Sequence, residues 1–219
     1  MVEPDVDSLN RLCDARGWPR SLDDKGHLAG VWYCGTYNRQ ELYGAYPPTY
    51  LARLLALFPD VPESELLHCP SGALSGPSVT VDMVSGDGRC PQIVANAAHL
   101  PFRDNAFSLL GMDPPYSQKH AKVYGTGRFP IRKAIVEAWR VLRPGGMLAI
   151  LHIYQPNTNR QMWRTRGLIA VVCGPHKDVR LLTLMQKQGW QLATGHVPNS
   201  GAKRPLLVDM PLFAAREET

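Results

Sequence analysis

The run Met147–Tyr154, MLAILHIY, is the feature that most restricts what this chain can fold into. It is apolar without the alternation of a strand that turns one face to water, so it predicts a strand buried on both faces. Such strands are typical of the centre of a parallel sheet. An amphipathic helix pattern, Ile131–Leu142, stands just before it, and the RPGG sequence between them predicts a helix stop. We therefore predict an α/β fold.

Shorter apolar runs indicate further strands on either side of this one, and most of them end in turn residues. Two β-rich runs, RGLIAVVCG and VRLLTLMQK, are separated by the turn-like PHKD and predict a C-terminal hairpin. A helix is predicted over Pro47–Pro59, where leucines recur at intervals of three and four. The predicted architecture is a Rossmann-like, mostly parallel seven-stranded sheet with an antiparallel C-terminal hairpin. The predicted regions are an N-terminal extension (1–46), a core (47–187) and a basic tail (188–219).

Composition restricts the class of protein. The chain is 44% hydrophobic and 20% charged, which is ordinary for a globular protein. No apolar run approaches the roughly 18 to 20 residues that span a bilayer, and the N-terminus lacks a secretory apolar core. We therefore expect a cytoplasmic protein with no membrane partner. The five cysteines are scattered, with no CxxC pair, so we expect no metal site.

Charge is distributed unevenly along the chain. Residues 1–116 contain 8 basic and 14 acidic side chains, whereas residues 117–219 contain 16 basic and 5 acidic ones. A half this basic suggests an anionic partner, although a solvated basic surface would have the same composition.

The apolar run Phe107–Met112 ends abruptly in the sequence DPPY, Asp113–Tyr116. Taken alone, Asp-Pro-Pro is good chemistry for a simple turn. Its context is more specific, because NAAHLPFRDNAF precedes this run, and a helix and VLRPGGMLAIL follow it. This ordered set resembles class I S-adenosylmethionine-dependent methyltransferases over roughly residues 47–187. DPPY resembles the amino-methyltransferase branch, and its Asp form resembles DNA adenine-N6 enzymes most.

The resemblance implies catalytic roles for the DPPY residues. The Asp113 carboxylate and the Pro114 backbone carbonyl would accept the two hydrogens of a base amino group and so direct its lone pair. Proline fixes φ, so that Pro114 and Pro115 would hold the carbonyl still. Tyr116 offers a flat ring on which a base can stack. A paired base would have to flip out of its duplex to reach this pocket.

The resemblance also implies a site for S-adenosylmethionine beyond the carboxyl ends of the strands. The loop after the strand SELLHC would lie beneath the methionine part, Asp82 would bind the ribose, and Met83, Asn96 and Ala97 would contact the adenine. The predicted cofactor residues are Cys69, Pro70, Ser71, Gly72, Asp82, Met83, Asn96 and Ala97. Only ten positions separate Gly72 from Asp82, which is too few for the usual crossover helix. His68 stands where the family has an acid.

Basic side chains follow DPPY closely, interleaved with aromatic ones, and predict a segment that contacts phosphates. The predicted nucleic-acid-binding residues are Lys119, His120, Lys122, Arg128 and Arg132. The same residues would also suit an ordinary basic entrance to a helix. DNA is the preferred partner, with RNA as the alternative and a partner subunit for sequence recognition.

Three functions remain open from the sequence. The first is adenine-N6 methylation of DNA. The second keeps the chemistry but acts on RNA or on cytosine N4. The third is a catalytically silent methyltransferase fold that serves as a nucleic-acid-binding subunit, which the missing crossover helix would suit.

Overall fold

The computed structural model describes residues 1–20, 22–24, 28–36, 45–86, 88–123, 125–174 and 178–189. Helices in this part are α1 (Val6–Arg16), α2 (Tyr50–Leu57), α3 (Gln118–Val123) and α4 (Ile131–Val141). Strands are β1 (Leu22–Asp24), β2 (Leu28–Tyr33), β3 (Leu66–His68), β4 (Val79–Asp82), β5 (Ile93–Val94), β6 (Phe107–Met112), β7 (Leu142–His152), β8 (Trp163–Cys173) and β9 (Asp178–Lys187). None of the helices described is long and apolar enough to cross a membrane. From residue 190 onward, the predicted basic tail lies outside the described residues.

The strands form one sheet in the order β1-β2-β8-β9-β7-β6-β3-β4-β5. Strand β9 pairs antiparallel with both β7 and β8, and β1 pairs antiparallel with β2. The other neighbours are parallel. The predicted Rossmann-like α/β class, with a mostly parallel sheet and an antiparallel C-terminal hairpin, is confirmed.

The described sheet has nine strands, two more than the seven predicted. Strands β1 and β2 come from the first 46 residues, and β2 pairs in parallel with β8 over its whole length. Side chains of the same region, Leu9, Cys13 and Trp32, pack in one core with Leu54 of α2. The N-terminal residues therefore extend the sheet and share its core.

The sheet separates two layers of core. On one face, Leu66, Leu109 and Ala149 pack with α1 and α2. On the other face, the neighbouring residues Leu110 and Ile150 pack with α4. Residues 145–152 of β7 are all buried, which confirms the prediction of a central strand covered on both faces.

Two connections differ from a regular crossover. Residues 69–78, between β3 and β4, contain no helix, as the short spacing and Gly76-Pro77 predicted. Helix α4 ends at Val141, just before the RPGG segment that was predicted to stop it, and RPGG itself lies within β7 as a bulge. Phe107 pairs with Leu142 but Leu109 pairs with Met147, so four residues of β7 lie opposite the single residue Ser108 and three of them are extra.

Candidate active site

The predicted catalytic and cofactor-binding segments meet at one edge of the sheet. Strands β7, β6, β3 and β4 are neighbours and parallel, so their carboxyl ends lie side by side. These ends bring together His152, Asp113, His68 and Asp82, which are far apart in sequence. Ligands of open α/β sheets bind at this edge. We call it the carboxyl edge.

Asp113 follows β6 directly and is the best-placed acid of this edge. Its Oδ1 accepts a hydrogen bond from the Tyr116 hydroxyl, so the first and last residues of the DPPY turn are hydrogen-bonded to each other. Burial raises the pKa of Asp113 to about 6, while Arg180 and the Tyr116 hydroxyl oppose that rise. Asp113 is therefore mostly ionised at pH 7, and its carboxylate can accept hydrogen bonds there. Pro114 is buried, and Pro115 and Tyr116 are half-buried.

Arg180, at the start of β9, is a site residue that sequence analysis missed. Its Nη1 lies 3.6 Å from Asp113 Oδ2, and its guanidinium carbon lies 5.1 Å from the centre of the Tyr116 ring. The only sequence signal was an arginine opening an otherwise apolar strand, VRLLTLM. Pairing of β9 with β7 carries this residue to the carboxyl edge.

Aromatic rings continue the site on the side of β7. His152 ends that strand and lies edge-on to Tyr116 and Tyr154, with ring centres 5.3 and 4.1 Å apart. Burial lowers the pKa of His152 to about 4, so the ring is neutral at pH 7. Its Nδ1 is buried and has no hydrogen-bond partner among the described residues. A buried polar atom of this kind is an orphan that a bound molecule can satisfy.

His68 and two tyrosines form the other side. The Tyr46 hydroxyl lies 3.2 Å from His68 Nδ1, and the Tyr46 ring stacks on Tyr50 with centres 5.3 Å apart. A side chain at position 111 would come within 3.0 Å of His68 Nδ1, so Gly111 makes room for this contact. Burial raises the pKa of both tyrosines, and the charge of Asp113 contributes to both shifts. Burial also lowers the pKa of His68, to about 4.

The predicted cofactor loop, Cys69–Gly72, is hydrogen-bonded to the Asp82 side chain. The Gly72 amide donates to Asp82 Oδ2 at 2.8 Å, and the Met83 amide donates to Oδ1 at 2.7 Å. Gly72 has φ +57°, which glycine adopts readily. The Cys69–Pro70 peptide bond is cis, and burial raises the pKa of the Cys69 thiol. Asp82 thus shapes the loop, and it retains acceptor capacity because two carboxylate oxygens offer about four lone pairs.

Ser71 is the most informative residue of this loop. Its amide donates to Val81 O at 2.9 Å, while its Oγ is buried without a partner among the described residues. An unsatisfied buried hydroxyl costs about 1–3 kcal/mol, so its retention favours a bound ligand as the missing partner.

The predicted adenine-contacting residues differ in exposure. Met83 and Asn96 are exposed, whereas Ala97 is buried. Asn96 Oδ1 accepts from the Ala98 amide at 2.9 Å, which fixes the turn after β5. These residues follow β4 and β5, next to the Ser71 loop in the sheet order.

The predicted basic residues lie in the segment that follows the DPPY turn. Lys119 and Lys122 are exposed on α3, and Arg128 and Arg132 are exposed before and within α4. The side chain of His120 lies outside the described residues. In the described part of the chain, no three His, Cys, Asp or Glu side chains gather as metal ligands would.

No protein-family profile and no curated protein sequence matches the chain. Solved structures resemble its fold at low identity. The Escherichia coli protein yhhF, assigned as a methyltransferase, is 16% identical with a TM-score of 0.46, and covers 68% of this chain and 91% of its own. TrmN from Thermus thermophilus is 19% identical with a TM-score of 0.44, and the match covers 66% of this chain and half of TrmN.

A third similar structure has a different activity. The [4+2]-cyclase SpnF is 13% identical with a TM-score of 0.41, and covers 86% of this chain and 98% of its own. Similarities of this size describe the general course of the chain and do not distinguish one chemistry from another. Function therefore depends on the residues of the site.

Proposed function

We propose that this protein transfers a methyl group from S-adenosylmethionine to the exocyclic amino group of a nucleic-acid base, with adenine N6 in DNA as the preferred target. One observation carries the proposal. A largely buried, mostly ionised Asp113 stands in a DPPY turn at the carboxyl edge, beside a loop with an unsatisfied buried Ser71 hydroxyl.

The DPPY turn suits an amine substrate. The lone pair of a base amino nitrogen is delocalised into the ring, so a catalyst must draw it out by binding the amino hydrogens. Asp113 Oδ2 and the Pro114 carbonyl are two acceptors on consecutive residues. Because the proline rings fix φ, this pair is held in a stiff turn. Alignment of the reacting atoms supplies much of the rate, so the mechanism needs no strong base, and the Asp113 carboxylate can accept the proton that the methylated amine then releases.

The residues that would hold S-adenosylmethionine come from three consecutive strand ends. Ser71 and the Gly72 backbone would bind the methionine part, Asp82 the ribose hydroxyls, and Met83, Asn96 and Ala97 the adenine. The orphaned Ser71 Oγ fits this assignment, since the methionine part offers both a carboxylate and an ammonium group. When bound, the cofactor supplies an electrophilic methyl group on a positively charged sulfur.

A nucleic-acid substrate is supported by the surface around the site. Exposed apolar side chains are spread along the carboxyl edge, at the ends of β2, β4, β5 and β7 and the start of β9. They are Tyr33, Met83, Val94, Ile153, Tyr154 and Val179. Those of β7 and β9 lie on the two strands nearest β6 and Asp113 on one side. Exposed Lys119, Lys122 and Arg128 follow the DPPY turn. Bases stack on aromatic rings and phosphates pair with basic groups, so the combination suits an unstacked nucleotide.

The experiment incubates the full chain with isotopically labelled S-adenosylmethionine and either DNA or RNA, followed by mass spectrometry of the nucleosides. We expect labelled N6-methyladenine from DNA. Label found only in RNA or only in cytosine would contradict the preferred target and leave the amino-methyltransferase chemistry in place.

Asp113→Ala tests the chemistry itself. We expect it to lower the rate by roughly 10²–10⁴-fold, because it removes one of the two acceptors of the amino hydrogens. Cofactor affinity, measured by calorimetry, should stay within a few fold. Asp60→Ala, at an exposed position away from the edge, is the matched control and should keep the wild-type rate. A wild-type chain that binds nucleic acid but gives no heat with sub-millimolar cofactor would contradict the proposal and favour a catalytically silent binding subunit.

A further inference from the structure

Arg180 touches both functional groups of the DPPY turn. Its guanidinium lies 3.6 Å from Asp113 Oδ2 and 5.1 Å from the centre of the Tyr116 ring. The Arg180 side chain is 20% exposed and that of Asp113 is 13% exposed, so this charge pair is largely withdrawn from water. An attraction between charges is screened much less in such a place than at an open surface.

The length of the contact distinguishes it from an ordinary salt bridge. At 3.6 Å, the guanidinium attracts the carboxylate but is too far away for a good hydrogen bond. Tyr116 donates to the other oxygen, Oδ1. Asp113 Oδ2 therefore feels a positive charge while its lone pairs stay available for a substrate amino group.

A second arginine of the terminal hairpin provides the comparison. Arg166 of β8 is 21% exposed, and its Nη2 lies 2.6 Å from Glu3 Oε2. That pair makes a close hydrogen bond and ties the N-terminus to the hairpin, as a structural salt bridge does. Arg180 is buried to the same extent, but its Nη1 lies 3.6 Å from Asp113 Oδ2, an ångström farther than Arg166 Nη2 lies from Glu3 Oε2. The Arg180 guanidinium also lies over the Tyr116 ring.

The surroundings of Asp113 offer no other positive charge among the described residues. The titratable groups that face it or its partners from neighbouring elements are neutral at pH 7, since burial lowers the pKa of the histidines and raises that of the tyrosines. They are Tyr46, Tyr50, His68 and His152, together with the Cys34 thiol, which lies near Arg180 and whose pKa burial also raises. The positive charge of Arg180 thus opposes the rise in the pKa of Asp113 that burial causes.

We propose that Arg180 is a positioning residue of the active site: it holds the negative charge on Asp113 and the orientation of the Tyr116 ring, and leaves Asp113 Oδ2 as an acceptor for the substrate amine. The role rests on the proposed function, in which Asp113 binds that amine. It assigns a catalytic contribution to the C-terminal hairpin, which lies outside the DPPY and cofactor segments.

The experiment compares Arg180→Gln and Arg180→Lys with Arg166→Gln as the matched control. Carboxyl-carbon NMR of the full chain, labelled at aspartate, follows the titration of Asp113 without any substrate. We expect the Asp113 midpoint to rise by about one pH unit or more in Arg180→Gln. It should rise by less in Arg180→Lys, which keeps the charge, and should stay at the wild-type value in Arg166→Gln.

The second readout is the pH profile of methyl transfer. Arg180→Gln should move the acidic limb of kcat upward by the same interval, so that its rate at pH 6, relative to its rate at pH 8, falls about fivefold below the wild-type ratio. An unchanged Asp113 midpoint in both Arg180 variants would overturn the proposal. A shifted midpoint in a chain that methylates nothing would instead overturn the proposed reaction and leave the electrostatic pairing standing.

Discussion

The two edges of the sheet differ in the surroundings of their ionisable side chains. At the amino edge, where β3, β6 and β7 begin, charged groups are paired and hydrogen-bonded. Glu65 accepts from both Ser108 and Arg143, and these contacts, that of Ser108 first, lower the pKa of Glu65. Arg140 donates to the carbonyls of Leu100 and Phe102 and to two carboxylates.

The carboxyl edge has the reverse pattern. Burial raises the pKa of Asp113 and lowers those of His68 and His152, so the environment disfavours the charged form of each. Ser71 Oγ, Tyr50 OH and His152 Nδ1 are buried without partners among the described residues. Stability alone would not select such an arrangement, because every unsatisfied buried group costs free energy. The amino edge also has one such atom, Trp163 Nε1 at the start of β8, but its charged groups are paired and hold the fold together. The carboxyl edge has three of them close to Asp113, as a ligand site would.

The largest expected effect is an acid destabilisation that originates at the carboxyl edge. Because the folded pKa of His68 and of His152 is about 4, below the ordinary 6.5, each ring contributes stability that is present above pH 6.5. That stability is lost as the pH falls from 6.5 to 4, by up to ~3 kcal/mol for each ring. Asp113 acts oppositely, since its folded pKa of about 6 lies above 3.8, and it offsets part of the loss.

Urea unfolding measured between pH 4 and pH 7 tests this expectation. His68→Gln should have a shallower dependence of the free energy of unfolding on pH than the wild type. His99→Gln, at an exposed position, is the control and should keep the wild-type slope. Equal slopes in all three proteins would show that burial of His68 does not govern the acid stability.

The next largest effect lies at the amino edge. Arg140→Ala removes the donors of the Leu100 and Phe102 carbonyls and leaves Glu137 without its charged partner, with only the Leu100 amide still donating to it among the described residues. We expect the free energy of unfolding to fall by roughly 2–3 kcal/mol, with the Asp113 titration unchanged. Lys133→Ala, exposed on the same helix, should change it by less than about 0.5 kcal/mol. A shift of the Asp113 midpoint in Arg140→Ala would mean that the two edges are not independent.

The smallest effect compares one serine from each edge. Ser108→Ala removes one of the two side-chain donors of Glu65, leaving Arg143, and should lower the free energy of unfolding by about 1 kcal/mol. Ser71→Ala removes a hydroxyl with no partner, so it should leave stability unchanged or raise it by up to about 1 kcal/mol.

Calorimetry then gives the functional half of this comparison. Ser71→Ala should weaken S-adenosylmethionine binding about tenfold, since one hydrogen bond to a charged group is worth roughly 1.5 kcal/mol or more. Ser108→Ala should leave cofactor affinity unchanged. If Ser71→Ala destabilises the protein as much as Ser108→Ala does, the Ser71 hydroxyl stabilises the fold and the proposed difference between the two edges is wrong for this loop.

Much of the fold was readable from local patterns. The unbroken apolar run of β7 predicted a strand covered on both faces, and the leucine spacing predicted α2, because periodicity reports directly which faces are buried. The missing helix between β3 and β4 followed from the short spacing with Gly76-Pro77. The RPGG bulge was not predicted, because the sequence suits a turn and only the register of β6 against β7 makes it part of a strand.

The candidate site was readable in part for the same reason. Asp113, Tyr116 and Asp82 stand at the ends of apolar runs, and a strand end in a parallel sheet is already a position at the site. Arg180 lacks such a signal, because β9 runs antiparallel and contributes its beginning to the same edge. The hydrogen-bond partners of Asp82 could not be predicted either, because every residue type other than proline has a backbone amide and the sequence does not show which one donates.

The sequence by itself determined the buried central strand, the strand ends that carry acids, and the stiff turn after β6, because burial periodicity and proline geometry are local properties of the chain. Only the tertiary structure decided which charges meet. It placed Arg180 against Asp113 and left Ser71 and His152 without partners among the described residues. Such outcomes depend on the register and order of strands that are distant in sequence, and no local pattern contains them.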